Sequence, residues 1–218
     1  MVSRETPPPE LPAWLAPAAG GLHAYVDLLI GPGTERGLLG PREAPRIWDR
    51  HVLNCAVVAD PAEELIPHGS RVADIGSGAG LPGLVWALAR PDLQVVLIES
   101  LLRRVTFLTE CVHELGLSEH VTVVRARAEE VADRAGGVDV VTARAVAPLG
   151  TIAQWAGPLL SDGGILAALK GASAQEEIQR DAEQLGAAGL VDARVVMSGT
   201  GVVDPPTTVV LARKVGAQ

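Results

Sequence analysis

The stretch that most constrains this chain is Arg71-Val72-Ala73-Asp74-Ile75 running into Gly76-Ser77-Gly78-Ala79-Gly80. A short apolar run followed by glycines at every second position reads as a buried strand turning sharply into a helix. Pro82 falls where the first turn of that helix begins, a place where its missing N–H costs nothing. Downstream the rhythm repeats. Strands are predicted at Gln94–Glu99, Val121–Val124, Val138–Thr142, Ile165–Leu169, Val191–Met197 and Thr207–Ala212. Helices are predicted to about Arg90, over Leu101–Leu115, near Ala128–Asp133, over Leu149–Leu160 with Asp162-Gly163-Gly164 closing it, and over Ala174–Ala187. Strand–helix alternation implies an α/β fold, a parallel sheet covered on both faces, and the last two strands, with no helix between them, imply an antiparallel hairpin at one edge. The expected architecture is thus a Rossmann-like, mixed seven-stranded sheet with a small N-terminal helical extension.

That extension carries two predicted helices, Trp14–Ile30, stopped by Gly31-Pro32-Gly33, and about Pro45–Leu65, closed by Pro67-His68-Gly69. Residues 1–12, with Pro7, Pro8, Pro9 and Pro12, read as a flexible tail. The expected division is tail 1–12, helical region 13–66 and sheet domain 67–218. No apolar run reaches the ~18 residues of a membrane span, and the N-terminus lacks the layout of a signal peptide. Cys55 and Cys111 form no Cys-x-x-Cys pair, so neither a disulfide scaffold nor a structural zinc site is suggested, and no metal is implied. A cytoplasmic location is the expectation.

The first strand-to-helix turn is the usual ligand crevice of such a sheet. Glycines let a ligand lie against the main chain, and the helix start offers N–H groups. Glu99 ends the second strand 23 residues after Gly76, where a carboxylate can accept both ribose hydroxyls of an adenosine. Gly78-Ala-Gly80-Leu-Pro-Gly83 formally matches the dinucleotide fingerprint. Asp74, two residues before Gly76, instead completes D-x-G-x-G-x-G, which resembles the first motif of class I methyltransferases that bind S-adenosyl-L-methionine. A nicotinamide enzyme would also need a further catalytic domain, and little chain is left for one.

Further segments narrow the resemblance. They are Arg50-His51-Val52-Leu53-Asn54-Cys55, Gly80-Leu81-Pro82-Gly83, Glu99-Ser100 with Arg103-Arg104-Val105-x-Phe107-Leu108, Arg127-Ala128-Glu129-Glu130, Ala143-Arg144-Ala145 and Ala168-Leu169-Lys170-Gly171. In this order, over roughly residues 22–213, they resemble the RsmG/GidB family. The resemblance implies methyl transfer from S-adenosyl-L-methionine to N7 of a guanine in small-subunit (16S) ribosomal RNA. It implies cofactor contacts at Gly76, Leu81, Ala128, Glu129 and Arg144, which join Asp74, Gly78, Gly80 and Glu99 from the loop and strand end as candidate cofactor residues. Candidate catalytic side chains are Arg144, His51 and Lys170. The family often carries Asp-Ser where this chain has Asn54-Cys55, so no carboxylate is expected there.

The bulk charge needs reconciling with an RNA partner. A net charge of −8 and aromatic content of 3% argue against a sequence-blind nucleic-acid coat or a stacking platform. Positive charge is local instead. Arg42, Arg46 and Arg50 lie close in sequence, and Arg103-Arg104 is expected on the same rim, which makes these five the candidate RNA-facing patch. Other methyltransferase chemistries lack their marks. After the fourth strand stands Ala143-Arg-Ala-Val-Ala-Pro148, not an amino-methylating Asn/Asp-Pro-Pro-Tyr/Phe motif, and neither cysteine sits where carbon-5 pyrimidine methylation needs a nucleophile. Three alternatives remain open at the level of sequence. They are a methyltransferase acting on a small molecule or protein, a non-catalytic S-adenosyl-L-methionine-binding protein, and, more distantly, a dinucleotide oxidoreductase.

Overall fold

The computed structural model describes residues 10–40 and 42–216. Most of the expected tail, residues 1–9, lies outside them. Seven strands form one sheet: β1 Arg71–Ile75, β2 Gln94–Glu99, β3 Val121–Arg125, β4 Val138–Arg144, β5 Leu160–Lys170, β6 Leu190–Ser198 and β7 Thr207–Lys214. Their order is β3-β2-β1-β4-β5-β7-β6. Neighbours from β3 to β5 are parallel, whereas β7 pairs antiparallel with both β5 and β6. From β1 the chain steps outward to β2 and β3, then returns to lay β4 on β1's other side. The carboxyl ends of β1 and β4 thereby form a topological switch point, where open α/β sheets bind ligands.

The helices are α1 Ala19–Leu28, α2 Asn54–Ala56, α3 Gly83–Ala89, α4 Leu102–Glu114, α5 Ala132–Ala135, α6 Leu149–Leu159, α7 Ala174–Arg180 and α8 Ala182–Ala187. Two apolar cores result, one on each face of the sheet. The first joins Leu22, Tyr25 and Val52 of the N-terminal region to Trp86, Leu97 and Phe107 of the sheet domain. The second packs α6 and α8 against the other face through Ile152, Leu159 and Leu185. The central strands are buried on both sides, which is why they read as continuous apolar runs.

Four predicted elements differ, each for an identifiable reason. The first helix does not stop at Gly31; it widens into a π turn over Leu29–Gly33, because Pro32 has no N–H to give. By length and composition, the helical stretch Ala13–Gly33 is, among the described residues, the one segment long and apolar enough to cross a membrane, contrary to the reading from sequence. Here Leu15, Leu22, Tyr25, Val26 and Leu29 are buried in the protein core. The second expected helix runs over 44–59 with mixed 3-10, π and α turns and ends at Asp60, which precedes Pro61 and takes φ −57°, ψ 122°, its side chain accepting from Ala62 N–H. Asp162-Gly163-Gly164 is an irregularity inside a longer β5 rather than a loop, with Gly163 at φ 80° and the β4–β5 register shifting alongside.

The fourth difference bears on the site. The helix expected over Ala174–Ala187 breaks at Asp181 into α7 and α8. The break lets Asp181 accept from Gly150 N–H at 2.8 Å while Glu177 accepts from Leu149 N–H at 3.0 Å. Both carboxylates thus cap the first turn of α6. The loop 145–148 between β4 and α6 is thereby anchored at its far end.

Candidate active site

The glycine loop takes the strained shape its composition permits. Gly76, Gly78 and Gly80 have φ of 67°, 59° and 103°. A Cβ on Gly76 would lie 2.3 Å from Val146, and one on Gly80 would meet Leu84 at 2.4 Å and the Tyr25 hydroxyl at 2.9 Å. The loop is pinned by buried groups. Asp74 Oδ2 accepts from Gly83 N–H at 3.0 Å, so the helix-start donor expected to face a ligand is used internally. Tyr25 donates to the Ala79 carbonyl at 2.7 Å, tying the N-terminal helix to the loop.

Asp74 is fully buried, and its Oδ1 has no hydrogen-bond partner. Burial pushes its carboxyl up to about 7, against the opposing Gly83 and Ser77 hydrogen bonds. An unpaired buried acceptor beneath the loop is costly unless a ligand cation satisfies it.

A cleft of about 440 Å³ opens along the carboxyl ends of β1, β2 and β3. Gly76, Glu99, Ala128 and Glu129 line it, with Leu101, Val146 and Trp155 as apolar walls. Glu99 is aimed by the backbone: Oε2 accepts from Gly78 N–H at 3.1 Å and Oε1 from Leu101 N–H at 2.9 Å. Arg104 approaches Glu99 Oε2 at only 3.4 Å and also lines the cleft, so it stands with the candidate cofactor residues rather than with the arginine patch. Ala128 and Glu129 form a 3-10 turn after β3, and Glu129 makes a loose 3.7 Å pair with Arg127. Gly80 is buried under Leu84, and Leu81, half-buried, packs on the first core; neither lines the cleft.

Arg144 sits at the end of β4, beyond the cleft wall that Ala145 and Val146 form. Ala145 takes φ 52°, a conformation few non-glycine residues adopt, at the point where the chain turns from Arg144 into that wall. The Arg144 guanidinium faces the N-terminal region. Nη2 reaches the Arg50 carbonyl at 2.8 Å and His51 Nδ1 at 2.8 Å; Nη1 donates to the buried Cys55 sulfur at 3.3 Å. His51 Nε2 lies 2.7 Å from Glu43. Burial holds His51 below the ordinary histidine range, partly countered by its hydrogen bond to Glu43. The same bond lowers the Glu43 carboxyl.

Lys170, next to Leu169, the β5 partner of Arg144, shares none of the His51 or Arg144 contacts. It pairs with Glu177 at 2.6 Å and donates to the Ala147 carbonyl at 3.2 Å, with the side chain only 10% exposed. It braces the 145–148 loop. Of the arginine patch, Arg42, Arg46, Arg50 and Arg103 are exposed, and Arg50 makes one long 3.7 Å contact with Glu43.

Sequence reading missed Trp155, Val146, Glu43 and Tyr25. The pair Leu101-Leu102, following Glu99-Ser100 at the start of α4, was a usable signal for an apolar cleft wall, which Leu101 supplies. Nothing local marks Tyr25, whose partner lies 54 residues along the chain, and Glu43 lacks any motif although His51 is only eight residues on.

A family model for rRNA small subunit methyltransferase G matches residues 19–203. The chain is 56% identical to "Ribosomal RNA small subunit methyltransferase G" of Salinispora tropica, covering 94% of this chain and 87% of that one. It is 57% identical to the protein of the same name from Mycobacterium leprae, covering 87% of this chain and 76% of that one. Among solved structures, fibrillarin of Aeropyrum pernix with natively bound S-adenosyl-L-methionine superposes with a TM-score of 0.56 at 21% identity, covering 73% of this chain and 76% of that one, a likeness of fold. With a glycine loop, a strand-end carboxylate and a switch-point cleft set in a match that spans most of its length, this chain belongs to the rRNA small subunit methyltransferase G family.

Proposed function

We propose that this protein transfers the methyl group of S-adenosyl-L-methionine to N7 of a guanine in small-subunit (16S) ribosomal RNA, in the cytoplasm, with that RNA or the small subunit as partner. The observation that carries the reading is the aimed Glu99 carboxylate in the cleft beside Gly76, in a chain of this family.

The cofactor fits the residues present. Glu99 is held by two backbone N–H groups, and its contact to Arg104, at 3.4 Å, is the replaceable one when a ribose diol needs acceptors. Asp74, buried beneath the loop, holds the loop's shape through its hydrogen bond from Gly83 N–H. Leu101, Val146 and Trp155 offer apolar surface for a base, flanked by Ala128 and Glu129.

S-adenosyl-L-methionine supplies an electrophilic methyl on a sulfonium. Guanine N7 carries an in-plane lone pair and no proton, so no general base has to act. The protein's work is alignment and exclusion of water. In this reading Arg144, fixed at the end of β4, orients an RNA phosphate or the guanine O6, and the exposed Arg42, Arg46 and Arg50 add positive charge. Lys170 holds the Ala147 carbonyl and keeps the cleft wall in place.

The test is transfer of labelled methyl to small ribosomal subunits that lack the modification, followed by mapping. A single 7-methylguanine in 16S ribosomal RNA is expected. Label on protein, or no label despite cofactor binding, would overturn the reading.

A further inference from the structure

Glu43 belongs to none of the motifs of the glycine-loop region, yet it ends a chain of polar contacts that reaches β4. Its Oε2 lies 2.7 Å from His51 Nε2, and His51 Nδ1 lies 2.8 Å from Arg144 Nη2. A guanidinium only donates hydrogen bonds. His51 Nδ1 is therefore the accepting nitrogen, and the ring proton sits on Nε2, where the Glu43 carboxylate faces it. The order is carboxylate, imidazole, guanidinium, with Cys55 Sγ and the Arg50 carbonyl taking two further Arg144 donors. The arrangement parallels second-layer carboxylates that set the tautomer of a working histidine.

We propose that Glu43 is a positioning residue for methyl transfer: it fixes His51 in the Nε2–H tautomer, and His51 so fixed holds the Arg144 guanidinium at the end of β4. The proposal deepens the methyl-transfer reading and rests on it for its kinetic arm, whereas the tautomer is a property of the protein alone.

The groups around the ring give the pH dependence its sign. Glu43 faces His51 from the preceding 3-10 turn, Arg144 from β4 and Arg50 from its own turn; Arg46 stands near Glu43, and the buried Cys55 thiol lies against Arg144. Burial and the two arginines oppose a second proton, and Glu43 favours it. Protonation would turn Nδ1 into a donor facing a donor, and Arg144 would lose its anchor. Transfer should therefore fall as pH drops through the His51 transition. Removing the Glu43 charge removes the group that favours the imidazolium, so in Glu43→Gln the acid limb should move to lower pH even as the plateau rate drops. A residue that only supported the fold would not move the limb in that direction.

Two measurements test this. In protein labelled with 15N-histidine, without cofactor at pH 7.5, His51 should show the Nε2–H tautomer, assigned by loss of its signals in His51→Gln. Glu43→Ala should show a mixture of tautomers. In steady-state transfer, Glu43→Gln should lower kcat on the order of threefold to tenfold, as expected for weakening one charge-assisted hydrogen bond, with KM for S-adenosyl-L-methionine within about twofold and the acid limb displaced downward. An Nδ1–H tautomer or imidazolium in the unaltered protein, an unchanged tautomer in Glu43→Ala, or an acid limb that stays put or rises overturns the proposal. The expected tautomers with no methyl transferred to RNA by the unaltered protein would instead sink the functional reading, and the positioning role with it. Normal transfer with the wrong tautomer sinks the Glu43 role alone.

Discussion

The two sides of the glycine loop are built by different rules. On the β2–β3 side, the cleft is made from short local motifs: each strand ends, and the next few residues supply Gly76, Glu99 or Ala128. Its key carboxylate is aimed by backbone N–H groups from Gly78 and Leu101. On the β4 side, Arg144 is aimed by side chains and a carbonyl from residues 50–55, some 90 positions away in sequence. A binding pocket for a cofactor common to many folds can be carried by a local motif. The β4 side is assembled by tertiary structure instead, and here the N-terminal region is the part that anchors Arg144, the residue proposed to orient the RNA.

If that division holds, substitutions on the two sides should separate binding from turnover. Arg144→Ala should have the largest effect, lowering kcat/KM for RNA by roughly 10²–10³, the scale seen when one preorganised charge-orienting donor is removed. Its dissociation constant for S-adenosyl-L-methionine should change by less than about threefold. A cofactor loss above tenfold would merge the two sides into one site. Glu99→Ala should do the reverse, weakening cofactor binding by about tenfold to a few hundredfold, the value of one or two charge-assisted hydrogen bonds, with kcat at saturating cofactor largely kept. Calorimetric titration alongside initial rates distinguishes the patterns, and an unchanged affinity for Glu99→Ala would remove the ribose-binding role.

Asp74 lies beneath both sides and bears a cost for it. Its carboxyl is raised by burial to about 7, so between the unfolded value near 4 and 7 the folded protein binds the extra proton, and stability falls as pH rises. Asp74→Asn should remove that penalty. The variant should be more stable than the unaltered protein at pH 8, by about 1–4 kcal/mol, since each tenfold change in proton affinity is worth about 1.4 kcal/mol, with the gap closing toward pH 4. It should also bind cofactor more weakly, since its amide oxygen must serve Gly83 N–H and an NH2 donor then stands where the unpaired acceptor stood. Thermal melts at several pH values check the first half. A gap that widens on acidification would refute the assigned burial cost.

Much of the sheet was readable because its strands are buried on both faces and stopped by glycine, so run length alone locates them. Glu99 was readable because strand length and loop length fix how far it falls from Gly76. The N-terminal region was harder: Pro61 forces Asp60 out of helical geometry inside the expected second helix, short of the Pro67-His68-Gly69 stop. The split at Asp181 had no local cause, since what it secures is the pair of caps on α6, a contact 31 residues away. Glu43 was hidden although its partner is only eight residues away. A glutamate among arginines reads as a solvated charge, and only the fold brings it to His51. Arg104 shows the converse: its basic neighbour Arg103 suggested an RNA rim, whereas helical geometry at the start of α4 turns it toward Glu99.

Tyr25 links the two sides and offers the smallest test of their independence. It comes from α1, is buried in the first core, and gives its only hydroxyl proton to the Ala79 carbonyl in the glycine loop. Burial also raises the phenol well above its ordinary range, so it remains a donor throughout the working pH. Tyr25→Phe keeps the ring and its packing but leaves the Ala79 carbonyl without that partner, a change worth about 1 kcal/mol or somewhat more. If the N-terminal region serves only the β4 side, the variant should melt slightly lower with cofactor affinity unchanged. If it also sets the loop, affinity should fall severalfold, by up to roughly tenfold for each 1.4 kcal/mol, with kcat unaffected. The geometry favours the second result, because the hydroxyl also occupies the space a Cβ on Gly80 would enter, at 2.9 Å. The helical extension then shapes the cofactor loop as well as the arginine centre.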